Sequence, residues 1–216
     1  MKEDHGEWQA VSSSLGVPAD RLLLIKQVHG IHVAVKRAGQ NPGWTRPEAD
    51  VIVTEDPLVA VGVRVADCAP VLLYDTVRGA VGAAHAGWRG TASGAAAAAV
   101  RAMQREFRSR PSDLIAAIGP CLGACCGEVG PEVVDAFRIG GAERASIAAW
   151  FTPGTGDRFF LDLERANRDQ LEAAGMNPTA IFVSGLCTKT HHARLHSYRA
   201  ERDAAGRLLG AIRCPS

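Results

Sequence analysis

The sequence predicts an α+β fold, with mixed β-sheets flanked by helices in a layered α/β sandwich. Three observations predict it. Short valine-rich runs dominate the first half of the chain. In the second half such runs alternate with helix-length segments. No linker and no repeat of roughly 20–50 residues divides the chain, so residues 1–216 read as a single domain. That length suffices to bury roughly 70% of the surface exposed by the unfolded chain.

Taken in order, residues 7–16 form a short helix stopped by Gly16, and Pro18 and Asp20 suit a turn and a cap. Residues 22–28 are compatible with a strand, Gly30 breaks it, and IHVAV (31–35) continues it. Residues 38–50 are dense in turn formers and read as a loop. DVIVT (50–54), LVAVGVRVAD (58–67), PVLLYD (70–75) and AVGAAHA (80–86) are strands. The second of these is valine-rich, as in a strand buried on both faces, and TVRG joins the last two as a hairpin turn. Thr91 or Ser93 caps a helix running to Phe107, whose alanines allow close packing on a sheet. LIAAIG (114–119) is a strand, PCLGACCGEVG a loop, and PEVVDAF (131–137) a helix that starts with proline. FTPGTGDRF reads as loop. LDLERANRDQLEAAG (161–175) is the clearest amphipathic helix, with Leu163, Ala166, Asn167, Gln170, Leu171 and Ala174 at helical spacing. AIFVSG (180–185) is a strand, and LLGAI, after a turn at Gly206, is the last.

Charge excludes some functions. The chain has 24 basic and 23 acidic residues, a net charge of +1 and no basic stripe, which is no nucleic-acid footprint. No apolar run approaches the roughly 20 residues of a membrane span. The N-terminus lacks the apolar core of a secretory signal, so the expected location is the cytoplasm. There, Cys68, Cys121, Cys125, Cys126, Cys187 and Cys214 read as reduced thiols, some of them buried. No CxxC pair is present, which argues against a zinc ribbon or thioredoxin motif.

Three residues at the ends of predicted strands carry chemistry together. His29 closes KQVHG, Cys68 follows VGVRVAD, and His85 sits among alanines and glycines that leave room for a ligand. Two imidazoles and a thiolate suit a three-ligand zinc site, with a fourth position open to water or substrate. The ion would lower the pKa of such a water. The same residues also suit a Cys–His hydrolase, with Cys68 as nucleophile and His85 as base. His32 faces away from His29 if the strand is regular. His191, His192 and His196 read as a solvated cluster, although His192 and His196 could share a helix face. Arg89, beside Trp88 where the chain enters a helix, suits a phosphate. IGPCLGACCGEVG sets three cysteines among glycines; they could form a tight binding loop or bind a metal, but a glycine-rich structural turn is simpler.

KQVHG, ADV-x-VT, VADCAPVLLYD, AAHAGWRGT, AIGPCLG and the closing CT…SYR…GR together resemble the polyphenol oxidoreductase, or laccase-domain, family, also called the peptidoglycan editing factor family. The match runs in order from residue 22 to 213, and ADC-x-P followed by AHAGWRGT is highly specific. Members are described as zinc-containing purine nucleoside phosphorylases with adenosine deaminase and methylthioadenosine phosphorylase activities. The resemblance implies metal ligands at His29, Cys68 and His85, so it favours a metal site over a nucleophile. It also implies one laccase-domain-type domain over 1–216, with an N-terminal segment shorter than the family's. Three departures stand out: that short N-terminus, Cys126-Gly127 where the family has a tyrosine before its EVG, and Leu195-His196 where it has two phenylalanines before SYR.

The resulting expectation is a zinc-dependent phosphorylase acting on adenosine, inosine and methylthioadenosine, with adenosine deaminase activity. Its partners are a purine nucleoside and phosphate, with no nucleic acid and no membrane. Cys68, His85 and Arg89 are the expected catalytic residues. Arg89, Asp67 and Glu128 are expected to bind substrate, the two carboxylates being candidates for the acid that protonates the leaving base. The alternatives are a copper-dependent polyphenol oxidase and a Cys–His hydrolase editing cell-wall precursors. Multicopper chemistry needs many histidines in HxH pairs, whereas the chain has seven histidines and no HxH.

Overall fold

The computed structural model describes residues 5–40 and 43–215. Among them, the strands in chain order are β1 (Leu22–Leu24), β2 (Val33–Lys36), β3 (Val51–Thr54), β4 (Ala60–Val65), β5 (Ala69–Asp75), β6 (Val81–Ala86), β7 (Leu114–Ile118), β8 (Glu128–Val129), β9 (Phe151–Pro153), β10 (Phe159–Leu161), β11 (Ile181–Val183) and β12 (Leu208–Arg213). The helices are α1 (His5–Ser14), α2 (Trp88–Ala92), α3 (Ala95–Phe107), α4 (Pro131–Ile139), α5 (Arg144–Trp150), α6 (Leu163–Ala173) and α7 (Tyr198–Glu201). The strands make a six-stranded mixed sheet, β11-β7-β5-β6-β3-β2, and two three-stranded sheets, β1-β4-β12 and β8-β10-β9. This is the expected α+β architecture.

Period-two alternation builds three layers around the large sheet. Val51, Val53, Val71, Leu73, Ala84 and Ala86 face one way, into a core with α3, α4 and α6. Ile52, Leu72, Tyr74, Val81 and Ala83 face the other way, against Leu23, Val59, Val61 and Val63 of the β1-β4-β12 layer. The helical face is lined by Ala95, Ala96, Ala99 and Ala102, small enough to bring α3 onto the sheet. At Gly82 the fit leaves no room: an added Cβ would lie 3.2 Å from Val53 Cγ1 and 3.4 Å from the Met103 sulfur.

Several expectations fail for physical reasons. The strand expected over 22–28 ends at Leu24, because the amides of Val28, His29 and Gly30 turn onto the Asp50 carboxylate instead of a neighbouring strand. The helix expected from Thr91 or Ser93 is two helices, broken at Gly94, whose φ of +83° no helix tolerates. Neither residue is an N-cap: Gly94 precedes α3, and Ser93 closes α2. Thr91 lies buried inside α2, where its hydroxyl accepts from Asn167 Nδ2 at 3.0 Å and its carbonyl from Gln170 Nε2 at 2.7 Å. FTPGTGDRF is not loop throughout: β9 and β10 form a hairpin around Gly154–Asp157, and β8 pairs with it from inside the expected cysteine loop. Packing of Phe151 on Phe137, with ring centroids 5.1 Å apart, outweighs the turn residues beside it. No helix among the described residues is long and apolar enough to cross a membrane.

Candidate functional site

The site is built on Asp50, which is fully buried just before β3. Its Oδ1 accepts the His29 amide at 2.9 Å, and its Oδ2 accepts the amides of Gly30 at 2.6 Å and Val28 at 3.2 Å. Oδ1 also lies 2.8 Å from His85 Nδ1. Burial works to raise the carboxyl pKa, but the His85 imidazole and the Gly30 and Val28 amides outweigh it and hold it below the usual carboxylate range. One carboxylate thus bends the 28–30 segment and aims the His85 ring.

Bending puts His29 in a left-handed conformation, φ +61°, rather than at the strand end expected for it. Its ring meets that of His85 edge-on, with centroids 4.8 Å apart. Cys68 sits in the turn between β4 and β5, after Asp67, which is also left-handed at φ +86°. One ligand, His29, and the residue before another, Asp67, are therefore strained non-glycine positions. The donor atoms of His29, Cys68 and His85 all lie within 4.8 Å of one another. Gly87 makes this possible, since a Cβ there would stand 2.7 Å from Cys68 Sγ. Burial raises the Cys68 thiol, but hydrogen bonds and charge from His29 and His85 overcome it and bring it to about 7. Burial lowers His85, yet Asp50 and Cys68 push it up to about 9. The donor set fits a zinc ion: two imidazoles and a thiolate converge, and one imidazole is oriented through Nδ1 by a carboxylate.

The cluster opens into a cavity of about 650 Å³. Lys26, Arg64, Arg89, Arg199, Arg202 and Arg207 contribute to its lining, so it is strongly cationic. Trp88 and Tyr198 supply aromatic surface. The Arg89 guanidinium lies 4.2 Å from the Trp88 ring centroid. Gln27 fixes β4 at the rim by bonding both the amide and the carbonyl of Arg64.

Residues 5–215 match the family described as multi-copper polyphenol oxidoreductase laccase. The chain belongs to this family. It is similar to a purine nucleoside phosphorylase, YlmD, of Geobacillus stearothermophilus, at 36% identity over 204 residues, 92% of this chain and 74% of that protein. It is also similar to an adenosine deaminase, RL5, of an unknown prokaryotic organism, at 35% identity over 208 residues, 94% of this chain and 78% of that protein. Its fold matches the crystal structure of the hypothetical protein YfiH of Bacillus licheniformis with a TM-score of 0.90 at 30% identity, covering 97% of this chain and 80% of that one.

In this laccase-family chain one of the two expected carboxylates lines the cavity and the other does not. Asp67 lines the cavity, but Oδ1 accepts the hydroxyls of Thr188 and Ser197 at 2.6 Å each, and Oδ2 accepts the Arg199 amide at 2.5 Å. Its carboxylate is committed to holding the 188–199 segment. Glu128 is not among the lining residues: its side chain is half exposed, 3.7 Å from Arg158, because β8 pairs with β10 and only Gly127 and Val129 reach the cavity. His192 and His196 share no helix and lie exposed in a turn-rich segment. The residues that the sequence reading missed are Asp50 and the cations other than Arg89. Several had a signal: Asp50 stands in ADV-x-VT, Lys26 in KQVHG, Tyr198 and Arg199 in SYR, and Arg207 in the closing GR.

A second cluster comes from the cysteine-rich loop. The sulfurs of Cys125, Cys126 and Cys187 lie within 4.8 Å of one another. Burial raises the Cys187 thiol, but the Thr190 and Gly123 amides, the Thr190 hydroxyl and Cys125 bring it to about 7.

Proposed function

We propose that the chain is a zinc-dependent purine nucleoside phosphorylase acting on adenosine, inosine and methylthioadenosine, with adenosine deaminase activity. One observation carries the reading: the His29–Cys68–His85 cluster opens into a cationic cavity of about 650 Å³, a volume that suits a nucleoside and phosphate. The names of the similar phosphorylase and deaminase support it.

His29, Cys68 and His85 hold the ion, with copper as the alternative to zinc. When bound, zinc supplies Lewis acidity to the reacting substrate. Asp50 keeps His85 in the tautomer whose Nε2 is free to ligate. Arg89, steadied on Trp88, binds phosphate together with the other cations of the rim. Tyr198 offers a surface on which the base can stack. Asp67 fixes the wall, its oxygens accepting three hydrogen bonds from Thr188, Ser197 and Arg199. Multicopper oxidation fits less well: among the described residues only two clusters of three ligating side chains come together, and the second contains no histidine.

The test is incubation of zinc-loaded protein with adenosine and phosphate. Adenine with ribose-1-phosphate, or inosine, is the expected product, and the absence of both sinks the reading. A second reading has its own observation. Asp50, His85 and Cys68 form a hydrogen-bonded chain ending in a thiol brought to about 7, as in a metal-free cysteine hydrolase. Chelation separates the two, because it abolishes turnover only if the ion is required.

A further inference from the structure

The second cluster has the geometry of a metal site. Cys125 and Cys126 lie on the glycine-rich loop between β7 and β8, and Cys187 follows β11. The two segments are joined by backbone bonds on either side of the sulfurs. The Cys121 amide donates to the Leu186 carbonyl at 3.3 Å, and the Thr188 amide to the Cys121 carbonyl at 2.9 Å. A turn closed by the Cys126 amide on the Gly123 carbonyl, at 3.0 Å, brings the adjacent cysteines round. Gly123 is required where the sulfurs converge: an added Cβ would lie 3.1 Å from Cys187 Cβ and 3.6 Å from the sulfurs of both Cys125 and Cys187.

The spacing matches thiolate coordination. Sulfurs bound at about 2.3 Å to a tetrahedral ion stand about 3.8 Å apart. Cys125 and Cys126 Sγ are 3.7 Å apart, and all three sulfurs are within 4.8 Å. Cys187 is buried, Cys126 half-buried and Cys125 exposed, so the cluster has a solvent side through which an ion can enter. Three sulfurs with no carboxylate or imidazole select soft cations.

We propose that Cys125, Cys126 and Cys187 bind one thiophilic closed-shell cation, Zn²⁺ or Cu⁺, at a second site separate from His29, Cys68 and His85. Binding forms three metal–sulfur bonds, releases the thiol protons to solvent and changes no oxidation state. The site braces the cavity wall, since the loop carries Gly127 into the lining and the Cys126 carbonyl accepts from Arg199 at 3.4 Å.

Titrate the full chain in reducing, oxygen-free buffer with Zn²⁺ alone and, separately, with Cu⁺ alone, and count bound equivalents for the natural sequence and for Cys125→Ser. Cys125 is exposed, so its replacement leaves the core intact. The expected result is one equivalent fewer in Cys125→Ser, in whichever arm the natural chain binds. Because the readout is a difference, it stands whether or not the His29–Cys68–His85 cluster holds an ion. Co²⁺ loading supplies a second measurement: a thiolate-to-metal band should persist in His29→Ala/Cys68→Ser and weaken when Cys125→Ser is added. Equal equivalents in the natural chain and Cys125→Ser overturn the proposal. So does a Cys125–Cys126 or Cys125–Cys187 disulfide that persists in the reducing buffer.

Discussion

In each of the two three-ligand clusters the donor atoms lie within 4.8 Å of one another, but the two have opposite support. At His29, Cys68 and His85 a buried carboxylate holds three consecutive amides and one ligand ring, the backbone is strained at two non-glycine residues, and a cationic cavity opens in front. At Cys125, Cys126 and Cys187 the support is two amides and the Thr190 hydroxyl aimed at a sulfur, and a glycine at the point of convergence, with no carboxylate among the groups acting on Cys187. A ligand set states what ion can bind. The groups behind it and the space in front state whether a substrate can reach that ion. By that measure the first cluster has access for a substrate, and the proposed second site would hold the wall.

The largest expected effect tests the carboxylate. Asp50→Ala removes the acceptor for three amides and His85, leaving buried donors unpaired. It should destabilise the protein by about 3–5 kcal/mol, read as a fall in the denaturant midpoint, and abolish metal binding at the first cluster while sparing the second. Retention of the first ion in Asp50→Ala would break the contrast. Next comes Gly87→Ala. The extended backbone at Gly87, φ −70° and ψ 172°, is open to alanine, so the chain tolerates the change, but the new methyl lies 2.7 Å from Cys68 Sγ. We expect metal affinity at the first cluster to drop about 10–100-fold, with thermal stability shifting much less. An equal loss at both clusters would show that the glycine acts on the fold and not on the sulfur.

These two positions also show where the sequence was legible. The strands of the large sheet can be read from short apolar runs, because Val51–Thr54 is buried on both faces and Ala69–Asp75 nearly so. Cys68 and His85 stand out because they close such runs. Asp50 stands in the ADV-x-VT motif, but its role does not show there, since an aspartate after a turn-rich loop looks like a turn residue and only tertiary contact reveals four donors on it. The cationic rim is equally hidden. Its six residues come from four separated stretches of a chain whose net charge is only +1, so no stripe forms in sequence. Local signals failed as well at residues 151–161, where turn formers masked a hairpin held by aromatic packing.

A smaller effect separates the cavity from the ligands. Arg89→Ala removes a rim cation and its contact with Trp88 and touches none of the first cluster's donor atoms. Michaelis constants for phosphate should rise about 10-fold, with zinc content and kcat for deamination nearly unchanged. Loss of zinc in this variant would place Arg89 with the support of the cluster rather than with the substrate.

The smallest expected effect is a control on Asp50. Asp56 is also a buried aspartate, and it accepts from Lys36 Nζ at 2.9 Å and the Leu58 amide at 3.0 Å, but it lines neither cluster. Burial raises its pKa, while Lys36 and the Leu58 amide outweigh burial and hold it below the ordinary 3.8. The sign follows: a carboxyl held low when folded contributes stability above its unfolded pKa, and that contribution is lost as pH falls through the folded value. Asp56→Asn should therefore cost about 1–2 kcal/mol at neutral pH, and the deficit should shrink as the pH is taken below about 4. Metal content should stay at the natural level throughout. If Asp56→Asn released metal as Asp50→Ala is expected to, any buried carboxylate would be enough to disturb the first cluster. The distinction between a supported site and a merely assembled one would then fail.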